Sequence, residues 1–210
     1  MKYVIMALGT FGSGKSTLIT SIAQSYGVSI RRRKPTHCNN VCCLVGRYTL
    51  NATQTYTGGI DMFEDKKEVL SYISRVWNSN VDIVVFEGAV FITFVIVKEL
   101  MDLECKRKVI MFYLDNDDEE LQRRFNQRTF FSSQVKGMKN VVNKRNQHRR
   151  LFDKIFREYN ERIVYHRQLE MRNVSDVYDV LREVEKITNI RMKEYVCNLD
   201  GRLRQAKLLG

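Results

Sequence analysis

The chain has 210 residues and a hydrophobic fraction of 44%, ordinary for a globular protein and enough for one α/β domain with a core. Its longest apolar stretch, 89–97, is too short to span a bilayer, and no signal-peptide pattern precedes the first strand, so a soluble cytoplasmic protein without a membrane partner is expected. The formal charge of +11 points to a polyanionic partner such as nucleic acid, for which a positive excess raises both affinity and encounter rate.

Residues 3–8 are an apolar run rich in strand formers. Gly9, Thr10, Phe11, Gly12, Ser13, Gly14, Lys15, Ser16 and Thr17 follow, fitting the phosphate-binding pattern G-x-x-x-x-G-K-[ST]. A helical pattern over 16–25 completes a strand, glycine loop and helix. Glycines bring backbone N–H groups against phosphate oxygens, and the helix N-terminus adds partial positive charge. Lys15 supplies a mobile charge for the β- and γ-phosphates of ATP, and the Ser16 hydroxyl is placed to ligate Mg²⁺.

A short strand is expected at 28–30, leading into Arg31, Arg32, Arg33 and Lys34. That run is either a solvated strand end or a contact to substrate phosphates. His37, Cys38, Cys42 and Cys43 lack a recognised zinc spacing, and the total of five cysteines is odd, so reduced, partly buried thiols are expected. Residues 41–45 form another strand, ended by Gly46, Arg47 and Tyr48. The polar stretch 51–59 reads as a loop that closes over something, and 64–77 as an amphipathic helix.

Residues 81–88 run apolar into Glu87 and Gly88, the pattern of a buried parallel strand ending in a carboxylate. There Glu87 either holds Mg²⁺ near the γ-phosphate or caps the next helix, expected at 91–103. Residues 108–114 are a further buried strand. Asp115 to Asp118 then cap a helix bearing Arg123, Arg124 and Arg128, either lid arginines or a plain surface helix. A basic helix over 140–164, a strand over 164–171 and a helix over 176–187 follow. The expectation is one domain, 1–190, with a lid around 115–140 and a basic extension at 191–210. Its fold class is α/β of the P-loop NTPase type: a mostly parallel central sheet flanked by helices, nucleoside- and nucleotide-kinase-like.

No guanine-reading N-K-x-D pattern is present, which argues against a GTPase. The loop at 9–18, with Gly46-Arg47-Tyr48, Gly58-Gly59-Ile60-Asp61 and Phe86-Glu87-Gly88, resembles bacteriophage P-loop kinases related to thymidylate kinases, over roughly the first two-thirds of the chain. That group includes the 5-hydroxymethyl-deoxyuridine DNA kinases. The resemblance implies ATP- and Mg²⁺-dependent phosphorylation of 5-hydroxymethyluracil within DNA, a step of thymidine hypermodification that protects phage DNA from host nucleases.

The acceptor hydroxyl must lose a proton, so a nearby carboxylate is required. Asp61 is the first candidate base, with a helix N-cap as its other reading; Glu87 is the second. Lys15 and Arg128 complete the catalytic set, Arg124 joins the nucleotide site, and Arg47 and Tyr48 are placed to meet a substrate phosphate or a stacked base, with ordinary packing as the other reading of Tyr48. Two other readings stay open: a kinase of free deoxynucleosides or nucleoside monophosphates, and a nucleotide-dependent DNA-binding ATPase module.

Overall fold

The computed structural model describes residues 1–51, 55–126 and 137–197. Arg128, much of the expected lid and the chain from 198 onward lie outside them.

Strand β1 (Tyr3–Gly9) is buried along its whole length. Tyr3, Ile5 and Ala7 face one core and Val4, Met6 and Leu8 the other, as the two-residue period of a strand requires. Strands β6 (Ile83–Gly88) and β7 (Lys108–Leu114) pair with β1 on either side, both parallel. Beyond β6 lies β3 (Cys42–Val45), and beyond β7 lies β8 (Ile163–Leu169). The short β2 (Thr36–Cys38) closes one edge antiparallel, giving the order β2-β3-β6-β1-β7-β8. The fold is α/β with a mostly parallel sheet, and β1 carries its loop to the middle of the edge where ligands bind in such sheets.

Helices α1 (Lys15–Ser25) and α6 (Val174–Thr188) pack on one face, and α2 (Lys66–Trp77), α3 (Phe94–Met101) and α5 (Gly137–Tyr159) on the other. Helix α4 (Asp118–Asn126) follows β7, with the Asp117 carboxylate accepting the Glu120 N–H at 2.7 Å as its cap.

Several expectations change. Residues 28–30 are not a strand; the edge strand is β2, further along. The expected loop at 51–59 contains a strand, β5 (Tyr56–Gly59), paired antiparallel with β4 (Arg47–Leu50). Helix α3 starts at Phe94 rather than 91, because Thr93 caps it and the N–H groups of residues 89–91 are already bound by Asp61. The long basic helix ends at Tyr159, before β8. Cys38 and Cys43 are not reduced: antiparallel pairing sets them opposite each other, 4.1 Å apart at Cα, and their sulfurs are bonded. Residues beyond 190 also enter the core, with Met192 and Cys197 buried in the α1–α6 cluster.

At the far end of the sheet sits Arg107, fully buried and without an ion-pair partner among the described residues. Its guanidinium donates to the carbonyls of Trp77 (2.7 Å), Val81 (2.9 Å), Ser79 (3.1 Å) and Asp82 (3.2 Å). It thereby satisfies the C-terminal end of α2, where a cation is favoured, and fastens it to the approach to β6. Replacing it leaves those carbonyls buried and unpaired. Arg107→Met is expected to destabilise the protein by about 3 kcal/mol or more in urea unfolding, with Arg107→Lys recovering part of the loss.

Candidate functional site

The site forms where β1 and β6 end side by side, Ala7 opposite Glu87 and Leu8 opposite Gly88. The chain leaves β1 through Gly9, turns at Gly12 and enters α1 from Gly14, whose φ of 100° is left-handed. Ser13 donates its hydroxyl to the Thr10 carbonyl at 2.9 Å, and the Lys15 ammonium donates to the same carbonyl at 2.7 Å. Lys15 is nearly buried, so its charge is held against the loop that would receive phosphate.

Glu87 is 1% exposed, and its Oε1 accepts the Ser16 hydroxyl at 2.8 Å. Burial pushes its carboxyl above the usual range; Lys15 and the Ser16 hydrogen bond pull it back, and the Asp61 charge raises it further. Two predicted metal-site groups, Ser16 and Glu87, are therefore in contact. A hydroxyl and one carboxylate make a small donor set, and that suits Mg²⁺, which completes its shell with water and substrate phosphate.

Asp61 lies in a single 3-10 turn, Ile60–Met62, directly after β5. It is not the N-cap of α2, a role taken by Asp65. Its Oδ2 accepts the Ala89 N–H at 2.5 Å, and Oδ1 those of Val90 (2.9 Å) and Phe91 (3.0 Å). The carboxylate therefore braces the turn after β6 while its charge acts on Glu87. Two glycines make this possible. A Cβ on Gly59 would lie 2.3 Å from Glu87 Oε1, and one on Gly88 would lie 3.0 Å from Asp61 Oδ1. Each motif keeps a glycine where the other places its carboxylate.

Arg124 donates to the Gly12 carbonyl at 3.1 Å, to the Met171 carbonyl, and to Glu120 at 2.5 Å. It lies against the loop. Arg123 instead pairs with Glu120 on its own helix. Arg128 lies outside the described residues. Arg47 does not converge on the loop: it pairs with Glu68 at 2.5 Å and stands over the Phe63 ring. Tyr48 is fully buried, in keeping with ordinary packing and not with a base stacked on an exposed ring. Its hydroxyl has no hydrogen-bond partner among the described residues, and the charges of Glu87 and Asp61 add to burial in raising its pKa.

His148, read only as part of a basic helix, is the residue the sequence concealed. Arg145 and Arg149 on the same side of α5 pair with Asp115 at the end of β7, and Arg145 also with Asp118 at 2.5 Å. That clamp sets the His148 ring, 2% exposed, against the Ala89 carbonyl at 2.7 Å. Nε2 must donate there, so Nδ1 is an acceptor, buried and unpartnered among the described residues. Burial, with the Lys15 charge next in weight, pulls its pKa down to about 4.

The sequence matches no protein-family model and no curated protein. Among solved structures it is similar to an unliganded sugar kinase from Janibacter sp. HTCC2649, at 12% identity and TM-score 0.47 over 90% of this chain and 96% of that one. It is similar to a shikimate kinase from Acinetobacter baumannii in complex with shikimate, at 20% identity and TM-score 0.42 over 90% and 94%. An uncharacterized protein from Eubacterium ventriosum ATCC 27560 is similar at 13% identity and TM-score 0.44 over 90% and 100%.

His148 makes the fold sensitive to acid. Its folded pKa lies below the unfolded value of about 6.5, so the unfolded chain takes the proton first and stability falls as pH drops from there toward 4. Unfolding free energies of the wild type and of His148→Gln, compared at pH 7 and pH 4, should differ in their fall by about 3 kcal/mol, the wild type losing more.

Proposed function

We propose that the protein is an ATP- and Mg²⁺-dependent kinase whose acceptor is the hydroxymethyl group of 5-hydroxymethyluracil in DNA. The observation that carries the kinase reading is the Ser16–Glu87 contact, 2.8 Å, at the mouth of a loop that also buries Lys15. A P-loop hydroxyl and a strand-end carboxylate meet where a metal–nucleotide complex is held. Bound there, Mg²⁺ would neutralise charge on the transferring phosphoryl group.

The chain's own groups divide the remaining work. Residues 9–17 offer backbone N–H groups to the phosphates, and Lys15 exchanges the Thr10 carbonyl for a phosphate oxygen. Arg124 is close enough to the loop to add a second cation. Asp61 takes the acceptor proton at Oδ2, which carries a single hydrogen bond. The new P–O bond forms as the γ-phosphoryl leaves the β-phosphate oxygen of ATP, and ADP departs.

The DNA acceptor is supported by the motif resemblance and by the charge of +11. A base in a duplex would leave the stack to reach Asp61. The phosphoester would serve as a leaving group in thymidine hypermodification, in the cytoplasm of a phage-infected cell, and so in evasion of restriction.

The test is transfer of labelled γ-phosphate to DNA containing 5-hydroxymethyluracil, to matched thymine DNA, and to free nucleosides and their monophosphates. Label is expected on the modified DNA alone. It should fall about 10²- to 10³-fold in Lys15→Ala and about 10²-fold in Asp61→Asn. Label confined to free nucleosides or monophosphates overturns the DNA acceptor. ATP hydrolysis without any labelled acceptor overturns the kinase.

A further inference from the structure

Among the described residues eight arginines, including Arg47, Arg124, Arg145, Arg149 and Arg172, pair with carboxylates of the fold. The run Arg31, Arg32, Arg33 and Lys34 is different: all four are exposed, and none has an ion-pair partner among the described residues. They form a tight turn. The Lys34 N–H donates to the Arg31 carbonyl at 3.3 Å, and Arg33 takes a left-handed φ of 58°. The Arg33 N–H binds the Tyr48 carbonyl at 3.0 Å, and Gly46 N–H binds the Pro35 carbonyl at 2.9 Å. The turn is therefore fixed to β4, which pairs with β5 where Gly59 lies against Glu87.

Extended backbone before the turn sends alternate side chains to opposite sides. Ser29 and Arg31 line one cavity, of about 400 Å³, with Lys34, Thr36, His37 and Asn39. Ile30 and Arg32 line another, of about 290 Å³, with Tyr48, Leu50 and Tyr56. Among the described residues no carboxylate lines either. The first is a donor cavity. His37, 4% exposed, accepts the Arg31 N–H at Nδ1, and its ring also lies against the Lys34 and Gly46 backbones at the wall of this cavity. The Lys193 side chain lies against Gly27 in the same wall. The second offers a half-buried tyrosine, two aliphatic side chains and a guanidinium, surfaces on which a planar base packs.

We propose that the turn at 31–34 and the cavities flanking it hold a single strand of DNA, with a phosphate among Arg31, Lys34 and His37 and an adjacent base between Arg32, Leu50 and Tyr56. The site is separate from the phosphate loop. It deepens the reading of the protein as a DNA kinase and rests on it for the identity of the polyanion. A strand seated there runs past β4, on the way to the acceptor carboxylates.

The experiment is fluorescence anisotropy with a labelled thymine oligonucleotide, single-stranded, titrated with the full chain at several salt concentrations without ATP. Arg31→Glu/Lys34→Glu is expected to weaken binding about ten-fold or more and to flatten the salt dependence by about 0.7 in log–log slope, the share of the one phosphate that is no longer neutralised. Tyr56→Ala should weaken binding about five-fold or more while leaving that slope unchanged. ATP binding should stay as in the wild type in both, which shows that they fold. Equal binding by wild type and charge variant, or no binding by the wild type, overturns the proposal. So does a charge-variant loss reproduced by millimolar inorganic phosphate with Tyr56→Ala silent, which marks a free-anion site. Undiminished labelling of modified DNA by the charge variant sinks this site and leaves the kinase reading standing. Weakened binding in the variants with no DNA ever labelled does the reverse.

Discussion

Burying one carboxylate governs the architecture around the phosphate loop. An ionised carboxylate cannot leave water without hydrogen bonds and opposite charge, and Glu87 is 1% exposed. Ser16 supplies the hydrogen bond and Lys15 the charge, so α1 and the loop before it are tied to the end of β6. Gly59 yields space for Glu87, and Gly88 for Asp61, so the hairpin is tied there too. Asp61 then holds three backbone N–H groups of the next turn. A side chain longer than hydrogen at either glycine would separate the two carboxylates from the loop they serve.

Positive charge is distributed in two ways, and the difference carries meaning. On α4 and α5 part of it is structural: Arg124 holds the loop, Arg145 and Arg149 hold Asp115, and Lys154 lies over the Phe94 ring at 3.8 Å, while Lys144, Arg150 and Arg157 have no ion-pair partner among the described residues. Such pairs fix orientation and leave little net field. The turn at 31–34 has cations and no carboxylate paired with them among the described residues, so its field extends into solvent and its attraction for a polyanion is not spent within the fold. A net charge alone could not separate these cases, because both add equally to it.

What the sequence made legible was local. The phosphate loop, β1, α1 and β6 are each written in a contiguous stretch whose local pattern reads as that element, although the role of the terminal Glu87 stayed open between metal, base and cap. The hairpin β4–β5 was hidden because Gly58 and Gly59 look like loop residues; only the crowding of Glu87 and the Arg47 backbone against them explains glycine in a strand. The start of α3 was misplaced because residues 89–92 are apolar enough to read as helix, while their N–H groups are claimed from 28 or more positions away. The cysteine pair was missed because strand register, not spacing, brings Cys38 to Cys43. His148 gave no signal at all: one histidine in a basic helix is indistinguishable from its neighbours until β7 sets the helix's rotation.

That contrast bears on what the fold can be asked to do. The loop side of the site comes from residues 9–17 and one strand end, a contiguous motif and its neighbour. The opposite side comes from β4 and β5, the turn at 89–91 and His148 of α5, elements brought together only by folding. Two of its polar atoms, Tyr48 Oη and His148 Nδ1, are buried without partners among the described residues. Buried polar groups left unpaired lower stability, so they persist where something other than stability holds them. One is a hydroxyl and the other, with Nε2 committed to Ala89, a pure acceptor, which suits an acceptor molecule bearing a hydroxyl of its own. On the proposed kinase reading, the phosphate loop would fix the chemistry, and the non-local wall facing it would select the alcohol that receives the phosphate.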